Sequence, residues 1–538
     1  MNRRIAWFGF ATLLMALCLT GCTNDNFTNS PIPGKADAPY VFVEALNPPG
    51  FSPLVGFDIS YVDSSGNYYL ASTGYTTGIL EINTTQLTTF TEPTVLGSGK
   101  TSFVGALNPG YVILDTAHAY EGGPNGVVAF YNPQASTLTN ALGAEEVWTG
   151  DGANFVDQAT IALPGTAGWP HQDAYAAAYT QTGQWTCNSA VQIYDTTNGL
   201  WHKAFTNGCF KTDEIAVDPT DKLVIVANPE EDPNLVTNPN SGAHPTQYVP
   251  SGPAFGVPTA PFVSLISTVP STPDSQGNYY QVVKQIAFDG SNGTPDARWT
   301  PITFMAQGFP GNEGGIEQPV YSAAMGKIYV AVPYDATQAT PSNGAIAVIN
   351  PTTYAVTKIN LTNCSPDGMA LGPDGKEALM GCNSSTGPQL INLQTGTMIA
   401  SFAQSVPKPT DSASLAIYNS GAGNMCDEAA YNPTTNVYVV ACQFAYNNSL
   451  VTVIDAGTGL TGATFLQNIP TNTIATSANV AGAAHSVSTD PVTGAIIVPL
   501  QMGDPLCPSW TEDTPVGAGV GCLGIWAPQG SWLQKGAY

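Results

Sequence analysis

The strongest constraint on this chain is a short pattern that keeps returning. In its clearest copy, Asp213 to Asn228 (DEIAVDPTDKLVIVAN), alternating apolar and polar residues run into Asp-Pro-Thr-Asp and leave through Leu223, Val224, Ile225 and Val226. That is how a strand, a tight turn and a second strand read in sequence. With Asp218 taken as position 0, the copies superpose on Asp63, Gly372, Asn432 and Asp490, and a fifth, QPVYSAAMGKIYVAVP, aligns through Ala323. One hairpin cannot bury both of its faces, so repeated hairpins must stack on one another.

Around these hairpins the chain divides into eight units of two to four short strands. YVFVEAL (Tyr40 to Leu46) stands alone before the first unit, and the last unit lacks an outer strand. A radial ring and a linear solenoid both suit such repeats. The ring is favoured, because the lone N-terminal strand can complete the last unit and leave no long sheet edge exposed. The expected fold is therefore an all-β propeller of eight blades, with seven as the alternative, closed by the N-terminal strand. The stretch AIAVINPTTYAVTKINLTNCSPDGMALGPDGKEALMGCN resembles the YVTN-type β-propeller repeat in its "VINPTT" and "PDG" marks and in the apolar run that ends in Asn. More distantly the chain resembles the gluconolactonase-like and strictosidine-synthase-like propellers. The resemblance implies fold and leaves activity open.

Export is written at the N-terminus. Arg3 and Arg4 precede an apolar run, Ile5 to Leu19, too short to serve as a spanning helix, and the run ends in Leu19-Thr20-Gly21-Cys22. That tetrapeptide resembles a bacterial lipobox, which implies removal of residues 1–21 and a lipid on Cys22. Thr23 and Asn24 do not resemble an inner-membrane retention signal, so an outer-membrane or cell-surface anchor is expected. Residues 22–37 read as a polar tether and 38–538 as one propeller domain, with a Pro- and Asn-rich insertion at 229–260. Of ten cysteines, eight follow Cys22 as local neighbours. Cys426 and Cys442 fall at −6 and +10 of one hairpin, and Cys364 and Cys382 at −8 and +10 of another. Cys187 with Cys209 and Cys507 with Cys522 complete four expected disulfides; without any CxxC spacing, metal ligation is the weaker reading.

Chemistry is expected where the repeats agree. Five residues before the turn stand Asp58, Asp213, Gln318, Asp367, Asp427 and His485, with Glu214, Glu317 and Glu428 beside them. On first strands lining a channel these would form a ring at one mouth. Crowded carboxylates raise one another's pKa unless a cation joins them, so the ring is a candidate Ca²⁺ site, and His485 would admit a transition metal. The plainer reading is that the Asp side chains bond backbone at strand starts. Loops after the second strands, including 116–126, 181–188, 229–260, 334–344 and 502–521, are long, which puts a binding site on that face. The net charge is −25 with only 10% of residues charged, a balance that repels nucleic acid and anionic lipid and favours cations or neutral ligands.

GSGKT at 97–101 lacks the first Gly of a phosphate loop, and no GxSxG, HExxH or EF-hand loop occurs. His118, His171, His202 and His244 are isolated and read as loop hydrogen-bonders. Two functions remain: a binding propeller holding a protein, glycan or small molecule on the long-loop face, or a Ca²⁺-dependent lactonase of the gluconolactonase-like kind.

Overall fold

The computed structural model describes residues 40–46, 54, 57–72, 78–84, 94–97, 103, 124–135, 143–152, 189–206, 212–229, 261–273, 277–288, 299–301, 315–335, 343–383, 386–402, 426–442, 450–471, 485–500, 506–507 and 521–531. Its strands make seven sheets, numbered here as blades in chain order of their first strands. Those first strands are Ser60–Val62, Val127–Asn132, Ile215–Asp218, Pro319–Ser322, Pro366–Leu371, Cys426–Asn432 and Ser488–Thr489. First strands of successive blades lie against one another, and each leads outward through antiparallel neighbours. Blade 3 adds a fifth strand, Trp299–Pro301, parallel to Val282–Ala287.

The turn at position 0 explains why the hairpins form. Asp218 Oδ1 accepts from the N–H groups of Thr220 (2.9 Å) and Asp221 (3.0 Å), and Asn432 Oδ1 from Thr434 (2.9 Å) and Thr435 (3.1 Å). Asp63 Oδ1 does the same for Ser65 and Asn67, both at 2.8 Å. A short Asx side chain supplies turn hydrogen bonds that the backbone alone cannot complete. The "NPTT" mark is the same device in the outer hairpin, where Asn350 Oδ1 accepts from Thr352 (2.9 Å) and Thr353 (3.0 Å).

Seven apolar clusters fill the seven seams between neighbouring blades. Ile225, Val263 and Ile286 of blade 3 meet Ile328, Val330 and Ala347 of blade 4, and Leu70 and Leu80 of blade 1 meet Ile497 and Ile525 of blade 7. Each fully buried Val, Leu or Ile contributes about 1.5–3 kcal/mol, and every blade is apolar on both faces for this reason. The N-terminal strand Tyr40–Leu46 pairs antiparallel with Cys522–Pro528 in blade 7, from Tyr40 opposite Pro528 to Leu46 opposite Leu523.

The count of eight is corrected to seven. GVVAFYN reads as the last strand of a second unit and AVQIYD as part of a third, but the two belong to one sheet, Val127–Asn132, Ala144–Asp151, Ala190–Asp195 and Leu200–Phe205. In the inner hairpin of blade 2 eleven residues separate Asn132 from Ala144, which pair opposite one another. Its second strand, AEEVWTGD, carries two glutamates and reads poorly as a strand, although Glu146 is buried and bonded by Asn132 and Trp148 at 2.9 Å each. ATIAL and AYAAAYT, which read as the other strands of that third unit, lie outside the described residues, as do residues 1–37, Cys22 and the insertion at 230–260.

Three of the four expected disulfides are formed: Cys364–Cys382, Cys426–Cys442 and Cys507–Cys522. Cys426 and Cys442 stand directly opposite in the ladder, with Cα atoms 3.9 Å apart. Cys187 and Cys209 lie outside the described residues.

Candidate functional site

Backbone pairing fixes which residues share one level of the channel. Asp58, Asn125, Asp213 and Glu317 each donate their N–H to the carbonyl of the second strand, to Ala71, Gly150, Ala227 and Ala331. Counting back from the turns of blades 5, 6 and 7, Asp367, Asp427 and His485 hold the same position. Each blade therefore delivers one polar residue to a common ring.

Two of the seven correct the sequence reading. In blade 4 the residue paired with Lys327 across the turn is Ser322, not Ala323, so the level assigned to Gln318 belongs to Glu317. A shift of one residue sends a strand side chain to the opposite face. Gln318 instead reaches the next strands: its Oε1 accepts from Met369 N (2.7 Å), and its Nε2 donates to Ala429 O (3.3 Å). Asn125 of blade 2 was missed because the paired inner strands there run two residues farther between turn and ring, which puts it seven residues before its turn residue Asn132 rather than five. Asn132-Pro133 was the available signal, since Asn132 Oδ1 accepts from Gln134 N (3.0 Å) as the other turn residues do.

The ring holds two groups of charge. In the first, His485 Nε2 lies 3.0 Å from Asp58 Oδ1 and Nδ1 lies 2.8 Å from Asp427 Oδ2, joining blade 7 to blades 1 and 6. Burial opposes the imidazolium, but the carboxylates of Asp427 and Asp58 outweigh it and hold the His485 pKa well above its ordinary value. Both ring nitrogens are thus taken by carboxylates, a state unlike the neutral imidazole a transition metal needs. In the second, one oxygen each from Asp213, Glu214 and Glu317 lies within 4.8 Å of the others. Burial, then the charge of Glu214 and a hydrogen bond to it, then Asp213 and Asp367, push the Glu317 carboxyl well above the usual carboxylate range. Asp367 is raised by burial and by Asp427 and Glu214, which sets it between the two groups.

One residue further along, side chains knit the first strands together. Glu428 Oε2 accepts from Val487 N (3.0 Å) and from the Ser486 hydroxyl, and Ser486 Oγ accepts from Ser60 N (2.8 Å). With Gln318 and Met369, this makes a recurrent link from position −4 of one blade to the N–H at −3 of the next. Where the residue after the ring position is Gly126 or Gly368 the strands approach so closely that a Cβ would lie 2.2 Å from Asp213 O or 2.0 Å from Asp427 O. Between blades 3 and 4 the receiving residue is Pro319, which has no N–H, and Glu214 turns to Glu317 instead.

His202 is in the strand Leu200–Phe205 rather than a loop, with its ring 5.3 Å from Tyr279, and burial lowers its pKa. His118, His171 and His244 lie outside the described residues, as do the long loops over most of their length.

Fold and ring together define a seven-bladed β-propeller with an acidic, histidine-bearing channel mouth. No family model matches the chain, and no curated protein matches it. Among solved structures it is similar to U3-55K (9% identity, 92% of this chain and 99% of that chain, TM-score 0.47) and to a chain of the mitotic checkpoint complex (9%, 92% and 99%, 0.46). It is likewise similar to the RRP9 WD40 repeats (9%, 91% and 99%, 0.47). The strand pairing, not these likenesses, carries the blade count.

Proposed function

We propose that the protein is an exported binding propeller, anchored by lipid on Cys22 to a bacterial outer membrane or cell surface, that takes its ligand at the mouth carrying the ring. The observation that carries this reading is the delivery of Asp58, Asn125, Asp213, Glu317, Asp367, Asp427 and His485 to one level by seven different blades. A strongly negative chain with such a mouth suits a cation or a cationic group on a protein, glycan or small molecule, and repels nucleic acid. The shared sheet of Tyr40–Leu46 and Cys522–Pro528 serves to keep the ring shut, and Cys187 pairs with Cys209.

The residues fit Ca²⁺ best at Asp213, Glu214 and Glu317: oxygens bound at about 2.4 Å stand up to about 4.8 Å apart, as these do. The same three carboxylates would serve the second reading, a Ca²⁺-dependent lactonase, in which the ion polarises a carbonyl oxygen. A calorimetric and melting titration with Ca²⁺, Mg²⁺ and Mn²⁺ tests both. Ca²⁺ should raise the melting temperature with concentration, and Asp213→Asn with Glu317→Gln should abolish the response. A melting temperature indifferent to all three ions and to chelator removes the ion and the lactonase with it; metal-dependent lactone hydrolysis would favour the lactonase over binding.

A further inference from the structure

Away from the ring, at the opposite end of blade 5, a carboxyl group is buried where nothing in the channel chemistry uses it. Glu377 opens the second strand of that blade, Glu377–Cys382, and is fully buried. Among the described residues no side-chain donor bonds either of its oxygens, which face only the N–H groups of Asp374 and Glu377 in their own turn, and the hydroxyl of Tyr438, fully buried on the second strand of blade 6, meets no acceptor. Both crowd the same point: a methyl group on Gly372 would lie 2.2 Å from Glu377 Oε1 and 2.0 Å from the Tyr438 hydroxyl. The two oxygens are therefore no farther apart than the sum of those distances. Glycine at 372 is what lets the two blades meet here.

An ionised carboxylate so placed, with only the N–H groups of its own turn to face it, is costly to bury. Two things could make it tolerable, a cation or a proton. The neighbours favour the proton. Asp374, on the turn between Gly372 and Glu377, is the hydrogen-bonding partner of Glu377 and is more than a third exposed. It already accepts from Lys376 N at 2.9 Å, and Lys376 Nζ stands 3.8 Å from its other oxygen. The site thus has a cation of its own beside Asp374, and only two carboxylates to offer another. A proton on Glu377 donates to Asp374 and removes the buried charge, and the second Glu377 oxygen stays open to the nearby Tyr438 hydroxyl.

We propose that Glu377 and Asp374 share one proton that latches the seam between blades 5 and 6 by keeping a charge out of it, so that the seam weakens as the solution becomes mildly alkaline. The titratable and charged groups facing Glu377 are Asp374 and Lys376 of its own turn and Tyr438 and Tyr431 of blade 6, with Asp455 behind Tyr431. The directions agree with one proton between two carboxyls. Burial, then Asp374, pushes Glu377 up to about 8, while the hydrogen bond from Glu377 holds Asp374 below the usual carboxylate range. A carboxyl that keeps its proton in the folded state and loses it near the ordinary value when unfolded adds stability at low pH, and that stability falls away as pH rises through the folded value. Tyr431 and Tyr438 are both raised, chiefly by burial, so Glu377 titrates first.

The test compares melting of the wild type with Glu377→Gln from pH 6 to pH 9. The glutamine amide donates to Asp374 and carries no charge, as the protonated acid does, so the variant should gain on the wild type as pH rises from 6 through 8 and keep that lead at pH 9. Infrared difference spectra against pH should lose one protonated-carboxyl band near pH 8 in the wild type and none there in the variant, a readout independent of stability. Parallel melting curves, or a band that persists in Glu377→Gln, overturn the latch. Ca²⁺ that raises the wild-type melting temperature at pH 8 but not that of Glu377→Gln would show a cation in place of the proton and overturn it equally.

Discussion

Replacing His485 by glutamine should show how much the His485 clamp holds the ring together. The imidazolium donates to Asp58 of blade 1 at 3.0 Å and to Asp427 of blade 6 at 2.8 Å, so one side chain crosses two seams. A hydrogen bond to a charged partner contributes about 1.5–3 kcal/mol. Two such bonds give an upper figure, which must be discounted because the His485 side chain is 24% exposed while Asp58 and Asp427 are 5% and 15% exposed. A loss of about 2–4 kcal/mol is expected at pH 6, read by urea denaturation. The sign with pH follows from direction. His485 is raised when folded, so its stabilisation is complete below the unfolded value and is lost as pH rises through the folded one. The raised carboxyls Glu317, Asp367 and Glu428 act in the same sense, because the unfolded chain gives up those protons first. The wild type should therefore be most stable on the acid side of neutrality, and its advantage over His485→Gln should shrink as pH rises. A difference that does not vary with pH, or a wild type more stable at pH 9 than at pH 6, would refute this account of the clamp.

Two further expectations concern covalent and edge structure. Peptide mapping without reduction should recover Cys187 linked to Cys209 beside the three pairs already formed, together with an acylated Cys22 at the N-terminus of the processed chain; a free Cys22 or scrambled pairs would contradict the export reading. Deleting residues 1–46 should cost about 3–6 kcal/mol, since Tyr40 and Leu46 are 5% and 2% exposed and each buries a large side chain, and Tyr40 also bonds Thr435 of blade 6 at 3.0 Å. An unchanged melting temperature would mean that the N-terminal strand does not keep the ring shut.

The hairpins were legible because the sequence marks them twice, by alternation and by an Asx turn whose side-chain bonds the structure shows at Asp63, Asp218 and Asn432. Blade number was not, because counting depends on every turn having the same length, and the connection after Asn132 is longer than the others. The same dependence produced the slip at Gln318: Ser322 makes its turn with a hydroxyl, Oγ accepting from Met325 N at 3.1 Å, and Ser322 and Ala323 look equally plausible without an Asx to mark the place. Position −5 could be read as a shared level, but the bonds within it could not. Nothing in spacing says that His485 lies between Asp58 and Asp427, because the three side chains come from three blades, Asp58 from the far end of the chain, and meet only through the curvature of the ring.

That curvature also explains why the acid cluster lies between blades 3 and 4. Inner strands converge on the channel, so each exposes an N–H toward its neighbour that must find an acceptor. Gln318, Glu428 and Ser486 supply it for Met369, Val487 and Ser60, and the polar side chain at −4 is thereby committed to structure. Gly126 and Gly368 have no side chain to commit and let the neighbouring backbone come close, and the Ala429 N–H beyond Gly368 goes to Gln318 Oε1 at 3.4 Å. Pro319 removes the donor itself. Glu214 then has no N–H at that place to satisfy, while Asp213 and Glu317 stand close by, and a third carboxyl oxygen comes within 4.8 Å of theirs. A backbone detail, a proline at −3, thus decides which of the repeated −4 side chains faces its acidic neighbours instead of the next strand.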